Sequence, residues 1–112
     1  MPRLFAIVAV TADVLTVVVS GELDAANRMI VLDALLDAFS ESKPRHVVVD
    51  LSALGFCDSA GARVLGCGQQ LALSHGASWR ICNPQPHVEW LLRIVRPGLF
   101  TVATVANSNR GH

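Results

Sequence analysis

The sequence predicts an α/β fold: a mixed β-sheet covered by helices. Short runs rich in valine, leucine and isoleucine alternate with longer stretches whose apolar residues recur every three or four positions. The first two apolar runs are separated only by Thr11-Ala12-Asp13, a connection short enough for a hairpin. Strand and helix alternating after an opening hairpin is the pattern of a sheet with mixed strand directions under a helical layer. At 112 residues the chain reads as one domain, 1–112, with a modest core over about residues 4–105 and a polar tail over 106–112.

Leu4 to Val10 and Val14 to Val19 are the two strands of the hairpin. The second is almost continuously apolar, which suits a central strand covered on both faces, and Ser20-Gly21 is expected to break it. Asp24 is a good N-cap for a helix from Ala25 to about Phe39. Met29, Leu32, Leu36 and Phe39 form its apolar stripe, flanked by Ile30 and Leu35, with Asn27, Asp33 and Asp37 on the wetter side. Pro44 disfavours helical geometry in the residue before it, so Ser40 to Pro44 ends the helix. His46 to Leu51 is the next strand, with Val47, Val48 and Val49 buried. Ser52-Ala53-Leu54-Gly55 leads into the turn Asp58-Ser59.

A second helix is expected over Ala60 to Ser74, with Val64, Leu65, Leu71 and Ala72 inward and Gly76 available to end it. Trp79 to Cys82 is a short strand and Asn83-Pro84-Gln85-Pro86 a stiff loop. Pro86 serves as the first residue of a third helix through Val95, whose stripe is Val88, Leu91, Leu92 and Val95. Pro97-Gly98 stops it, and Leu99 to Val105 is a candidate final strand. Both tryptophans are expected to be partly buried, with Trp90 also a candidate hot spot for binding.

Hydrophobic residues make up 52% of the chain and charged residues 16%, which excludes intrinsic disorder. Nine basic and nine acidic residues cancel, so no global field favours nucleic acid, an anionic membrane or an acidic substrate. Cys57, Cys67 and Cys82 match no CxxC spacing and read as structural cysteines of a reducing cytosol. A reactive Cys57, beside the polar turn, is the alternative. The apolar start Leu4 to Val10 is cut off by Thr11 and Asp13, unlike a signal peptide, and no run approaches the roughly 18 residues of a membrane span. The expected location is cytoplasmic, without membrane contact.

Catalytic patterns are missing: no GxSxG elbow, no glycine-rich phosphate loop with lysine and no HExxH. His46, His75, His87 and His112 share no ligand spacing, so no metal is expected. The chain reads as a non-enzyme.

Asp58-Ser59-Ala60-Gly61 is the polar turn on which function centres. Asp or Ser before a helix is ordinary capping chemistry, and on spacing alone that account is the better one. The other reading is electrostatic: a serine at a helix N-terminus can carry a doubly charged phosphate without unfolding the domain.

Four motifs, in this order and at these distances, resemble the STAS domain: Gly21-Glu22-Leu23-Asp24, Val48-Val49-Asp50-Leu51, Phe56-Cys57-Asp58-Ser59-Ala60-Gly61 and Gly98-Leu99-Phe100. The resemblance runs from about Phe5 to Val105 and is strongest to the bacterial anti-sigma factor antagonists. It implies an α/β, STAS-like single domain with a mixed four- or five-stranded sheet covered by three to four helices. It also implies partner switching. The unphosphorylated antagonist binds an anti-sigma factor that is also a serine kinase and so releases a sigma factor for transcription. Phosphorylation of the serine matching Ser59 breaks the complex, and a separate serine phosphatase restores it.

Carried over to this chain, the partner-binding residues are Glu22, Asp24, Asp58, Ser59, Ala60, Gly61, Ala62 and Arg63. The chain needs no cofactor of its own, because ATP and Mg²⁺ belong to the kinase partner, and it is expected to be a monomer. A phosphate near Asp24 and Asp58 is expected to act by like-charge repulsion. Ala60 replaces a frequent second hydroxyl, Ala62 a bulky apolar residue, and Arg63 and Cys67 also depart from the family pattern. These departures keep open the alternative of a non-phosphorylated STAS scaffold or a transporter-associated regulatory domain.

Overall fold

The computed structural model describes residues 3–100. Strands β1 (Leu4–Thr11) and β2 (Val14–Leu23) form the expected antiparallel hairpin, in register from Leu4↔Gly21 to Thr11↔Val14. β3 (His46–Asp50) pairs parallel with the first half of β2, and β5 (Ser78–Cys82) pairs parallel with β3. A further short strand, β4 (Leu54–Cys57), pairs parallel with the far end of β2, through Gly21↔Leu54, Glu22↔Phe56 and Leu23↔Cys57. The result is a five-stranded mixed sheet in the order β1-β2-β3-β5, with β4 beside β2. Helices α1 (Met29–Glu41), α2 (Ser59–Ser74) and α3 (Pro86–Val95) and a 3-10 turn over Pro97–Phe100 complete the described chain.

Several sequence expectations are corrected. Ser20-Gly21 does not end β2. Gly21 adopts φ +101 at a shift in register, and the strand continues to Leu23. Its amide donates to the Ala53 carbonyl at 3.0 Å, and the next amide, of Glu22, donates to the Arg3 carbonyl at 3.1 Å. The strand is therefore held from both sides where the sequence shows a breaker.

β2 is also not covered on both faces. Leu15, Val17 and Val19 are buried while Val14, Thr16 and Val18 are half-buried, and in β3 Val47 and Val49 are buried but Val48 is not. On the outer face of β1, Phe5 and Ile7 remain 56% and 63% exposed. The alternation marks a sheet whose core lies on one side.

That side carries α1 and α2. Val31, Leu35, Ala38 and Phe39 of α1 are buried, and so are Val64, Leu65 and Ala72 of α2, whereas Leu71 is half-buried. Between α2 and the sheet lies Trp79, 1% exposed. It fits because position 68 is glycine: a Cβ there would stand 2.7 Å from Leu35 Cδ1 and 3.3 Å from Trp79 Cη2. Trp90 in α3 is the opposite case, 67% exposed, because it falls outside the buried Val88 and Leu92 positions.

Helix ends follow local chemistry. α1 begins at Met29 and not Ala25, since residues 25–28 form a separate turn, and it runs to Glu41, two residues beyond the expected end. α2 ends in a Schellman arrangement: Gly76 takes φ +78, its amide donates to Leu73 and that of Ala77 to Ala72. Gln69, buried in α2, donates through Nε2 to the Gly98 carbonyl and ties the last turn to the helix. Leu99 and Phe100 belong to this 3-10 turn and not to a strand, while the rest of the candidate final strand lies outside the described residues.

Gly21 supplies a stringent test of the sheet. A Cβ at that position would lie 1.6 Å from the Arg3 carbonyl oxygen, in a conformation that L-residues avoid. Gly21→Ala is expected to cost at least about 2 kcal/mol in urea-monitored unfolding, because backbone strain and overlap add.

Candidate functional site

The parallel pairing of β2 with β4 brings two loops together. β2 ends at Leu23 and β4 at Cys57, which are register partners, so Asp24 and Asp58 leave the sheet side by side. The Asp58 amide donates to the Leu23 carbonyl at 3.2 Å and completes that ladder.

Asp58 is the N-cap of α2, with extended backbone geometry. Its Oδ1 accepts from the Gly61 amide at 2.8 Å, the reach from cap to third helical residue that capping requires. Its Oδ2 accepts from the Ala25 amide at 3.3 Å, across 33 residues of sequence. One carboxylate thus closes a helix end and fastens the neighbouring loop to it.

The neighbouring loop is also self-closed. Asp24 Oδ1 accepts from the amides of Ala26 and Asn27 at 2.9 and 3.2 Å. Asn27 returns the contact: its Oδ1 accepts from the Asp24 amide at 2.9 Å, and its Nδ2 donates to the Glu22 carbonyl at 2.8 Å. Asp24 therefore caps the turn 25–28, and α1 itself has no side-chain cap at Arg28. Ala25, Asn27 and Arg28 are structural parts of this site that sequence reading passes over. Asn27 three residues after Asp24 was the available signal, a pairing of two turn-forming side chains.

The eight residues proposed from sequence separate into two groups. Glu22, Asp24, Asp58 and Ala60 are half-buried, and Ser59 and Arg63 are exposed. Gly61 and Ala62 are buried and face inward. A Cβ on Gly61 would meet Leu23 Cγ at 2.7 Å, Cys57 Sγ at 2.9 Å and the Leu23 carbonyl at 3.0 Å. Glycine at 61 is what lets the first turn of α2 lie against β2 and β4. Ala62 is 0% exposed and belongs to the same inward face.

Ser59 is the first residue of α2, and among the described residues its hydroxyl makes no hydrogen bond. Capping is done by Asp58, so the serine is not needed for it. Phe56, in β4, is 45% exposed beside the turn. The other polar candidates lie elsewhere: His46 contacts Ser78 Oγ, His75 the Leu71 carbonyl and His87 the Gly55 carbonyl. His112 lies outside the described residues.

The three cysteines, read from sequence as structural, are unlike one another: Cys57 is buried, Cys82 half-buried and Cys67 exposed. Burial pushes the Cys57 thiol up to about 12, with the Asp58 charge adding to the effect. A thiol so protonated is a poor nucleophile.

Two measurements follow from this geometry. At pH 8, iodoacetamide is expected to label Cys67 at least tenfold faster than Cys57 in the folded protein, read by peptide mass spectrometry. Asp58→Ala is expected to lower stability by about 1–2 kcal/mol through the lost cap, whereas Ser59→Ala stays within about 0.5 kcal/mol of wild type.

The comparisons with known proteins agree with this architecture. The STAS domain profile matches residues 6–108. An anti-sigma F factor antagonist of Paenibacillus polymyxa is 32% identical over 92 residues, covering 82% of this chain and 77% of that protein. Among solved structures, an anti-sigma factor antagonist from Mycobacterium paratuberculosis superposes with a TM-score of 0.76 at 20% identity, over 95% of this chain and 91% of the other. The anti-sigma factor antagonist SpoIIAA in its unphosphorylated form gives 0.66 at 19% identity, over 96% and 92%. At such identities the structural likeness speaks for the fold, and the profile and the Paenibacillus relative speak for descent. The chain belongs to the STAS family and is similar, within it, to an anti-sigma factor antagonist.

Proposed function

We propose that this chain is an anti-sigma factor antagonist of the partner-switching kind, with Ser59 as its phosphorylated residue. The supporting observation is the division of labour at the turn. Asp58 takes the whole capping role, which leaves an exposed hydroxyl at Ser59 that the fold does not use. In this reading the unphosphorylated surface around Glu22, Asp24, Asp58, Ser59, Ala60 and Arg63 docks an anti-sigma factor with serine kinase activity, and a sigma factor is released. Gly61 and Ala62 act from beneath by holding the turn. ATP and Mg²⁺ are the kinase's, a serine phosphatase reverses the modification, and the chain itself catalyses nothing.

Phosphorylation at this position is compatible with an intact fold. The phosphate sits at the surface of a helix start, where the dipole favours negative charge by about 0.3–1 kcal/mol. The same group in a partner interface must be desolvated, which costs several kcal/mol when a counter-charge is missing. A few kcal/mol is two or more orders of magnitude in affinity.

Incubation with the serine-kinase anti-sigma factor and ATP is expected to add one phosphate, located at Ser59 by mass spectrometry. Ser59→Ala should bind that kinase and accept no phosphate, while Ser59→Asp should bind at least tenfold more weakly. Absence of phosphate on Ser59, together with undiminished binding by Ser59→Asp, would refute the switch. For Asp24, the informative change is Asp24→Asn, which keeps an acceptor for the Ala26 and Asn27 amides. It is expected to weaken kinase binding while the melting temperature stays within a few degrees.

A further inference from the structure

Beside the acceptor turn, α1 and α2 enclose a groove of about 350 Å³. Arg28 lines one wall, Ala60 and Arg63 the other, and no acidic residue contributes to the lining. Arg28 is held in place: its Nη1 donates to the Ala25 carbonyl at 2.6 Å, and the Ala25 amide in turn donates to Asp58. Arg63 is exposed and, among the described residues, makes no hydrogen bond or ion pair. It follows Ser59 by four positions in the same helix, so the two side chains share a face one turn apart.

Three of the amides around this helix start are already engaged, which leaves those of Ser59 and Ala60, dipoles and not full charges, for a phosphate. The Gly61 amide donates to Asp58 Oδ1, the Ala62 amide to the Asp58 carbonyl and the Ala25 amide to Asp58 Oδ2. The acids on the same rim are Glu22, Asp24 and Asp58, and the last two already accept backbone N–H groups. The full positive charges lining the groove beside this turn are the two guanidiniums, whose planar forks suit phosphate oxygens.

We propose that Arg63, assisted by Arg28 across the groove, is an internal receiver for the phosphate on Ser59. Phosphorylation then does more than add negative charge to the surface. It draws the positive charge of the groove toward the phosphate and withdraws it from the surface offered to a partner. The off-signal becomes the loss of an attraction as well as the gain of a repulsion. This inference rests on the reading of Ser59 as the modified residue.

The test needs no kinase. The full chain is made with phosphoserine incorporated at position 59 during translation, and its phosphate is titrated by ³¹P NMR. The second phosphate pKa is expected to be about half a unit lower in wild type than in Arg63→Gln, a shift typical of a nearby opposite charge at a solvated site. Arg28→Gln should raise it by a smaller amount, Arg93→Gln should leave it unchanged, and high salt should shrink the Arg63 difference. Coincident titration of wild type, Arg63→Gln and Arg28→Gln would overturn the receiver. That result would leave the switch standing, since the switch is tested by kinase modification of Ser59 and by the binding of Ser59→Asp.

Discussion

Both oxygens of the Asp58 carboxylate are in use, and by different parts of the chain. One closes the first turn of α2 through the Gly61 amide, and the other holds the Ala25 amide of the loop after β2. The backbone of the same residue is bound at both ends, donating to Leu23 and accepting from Ala62. Everything distinctive at this end of the molecule depends on that four-way junction. It sets where α2 starts, it aligns the Asp24 loop with the Ser59 turn, and it removes any structural claim on the Ser59 hydroxyl. Capping interactions of this kind contribute about 1 kcal/mol each, so the junction is firm without dominating the stability of the fold.

Beneath the junction lies a main-chain device. β2 is long enough to serve two parallel partners in succession, β3 along its first half and β4 along its last residues. The second pairing is short, yet it carries the turn, because Leu23 and Cys57 are opposite each other and both are buried. Gly61 then packs directly over them. The Cys57 thiol therefore works as a filler of the floor, and burial, by holding it protonated, makes it a poor nucleophile.

The parts of this molecule that were legible in the sequence are those with local causes. The hairpin, α2 and α3 follow from apolar period, and Pro86 and Gly76 mark helix ends through their own backbone preferences. β4 was not legible. Leu54-Gly55-Phe56-Cys57 is four residues long and contains a glycine, and it is a strand only because the end of β2 is there to pair with it. Gly21 misled in the same way: a residue that punctuates most strands is here the one residue that fits against the Arg3 carbonyl. At the site, Ser59 and Asp58 could be found from the turn itself. Ala25 and Arg28 could not, since their part is set by a contact with residues more than thirty positions away.

The outward stripe of α2 runs from half-buried Ala60 through exposed Arg63 and Cys67, while Gly61, Ala62, Val64, Leu65 and Gly68 hold the opposite side against the core. Substitutions on an exposed stripe of this kind usually change stability by no more than about 0.5 kcal/mol. The residues that would be read by a partner are thus separable from those that keep the domain folded. Positions 63 and 67 can therefore change what this face presents while the packing that holds α2 to the sheet stays as it is.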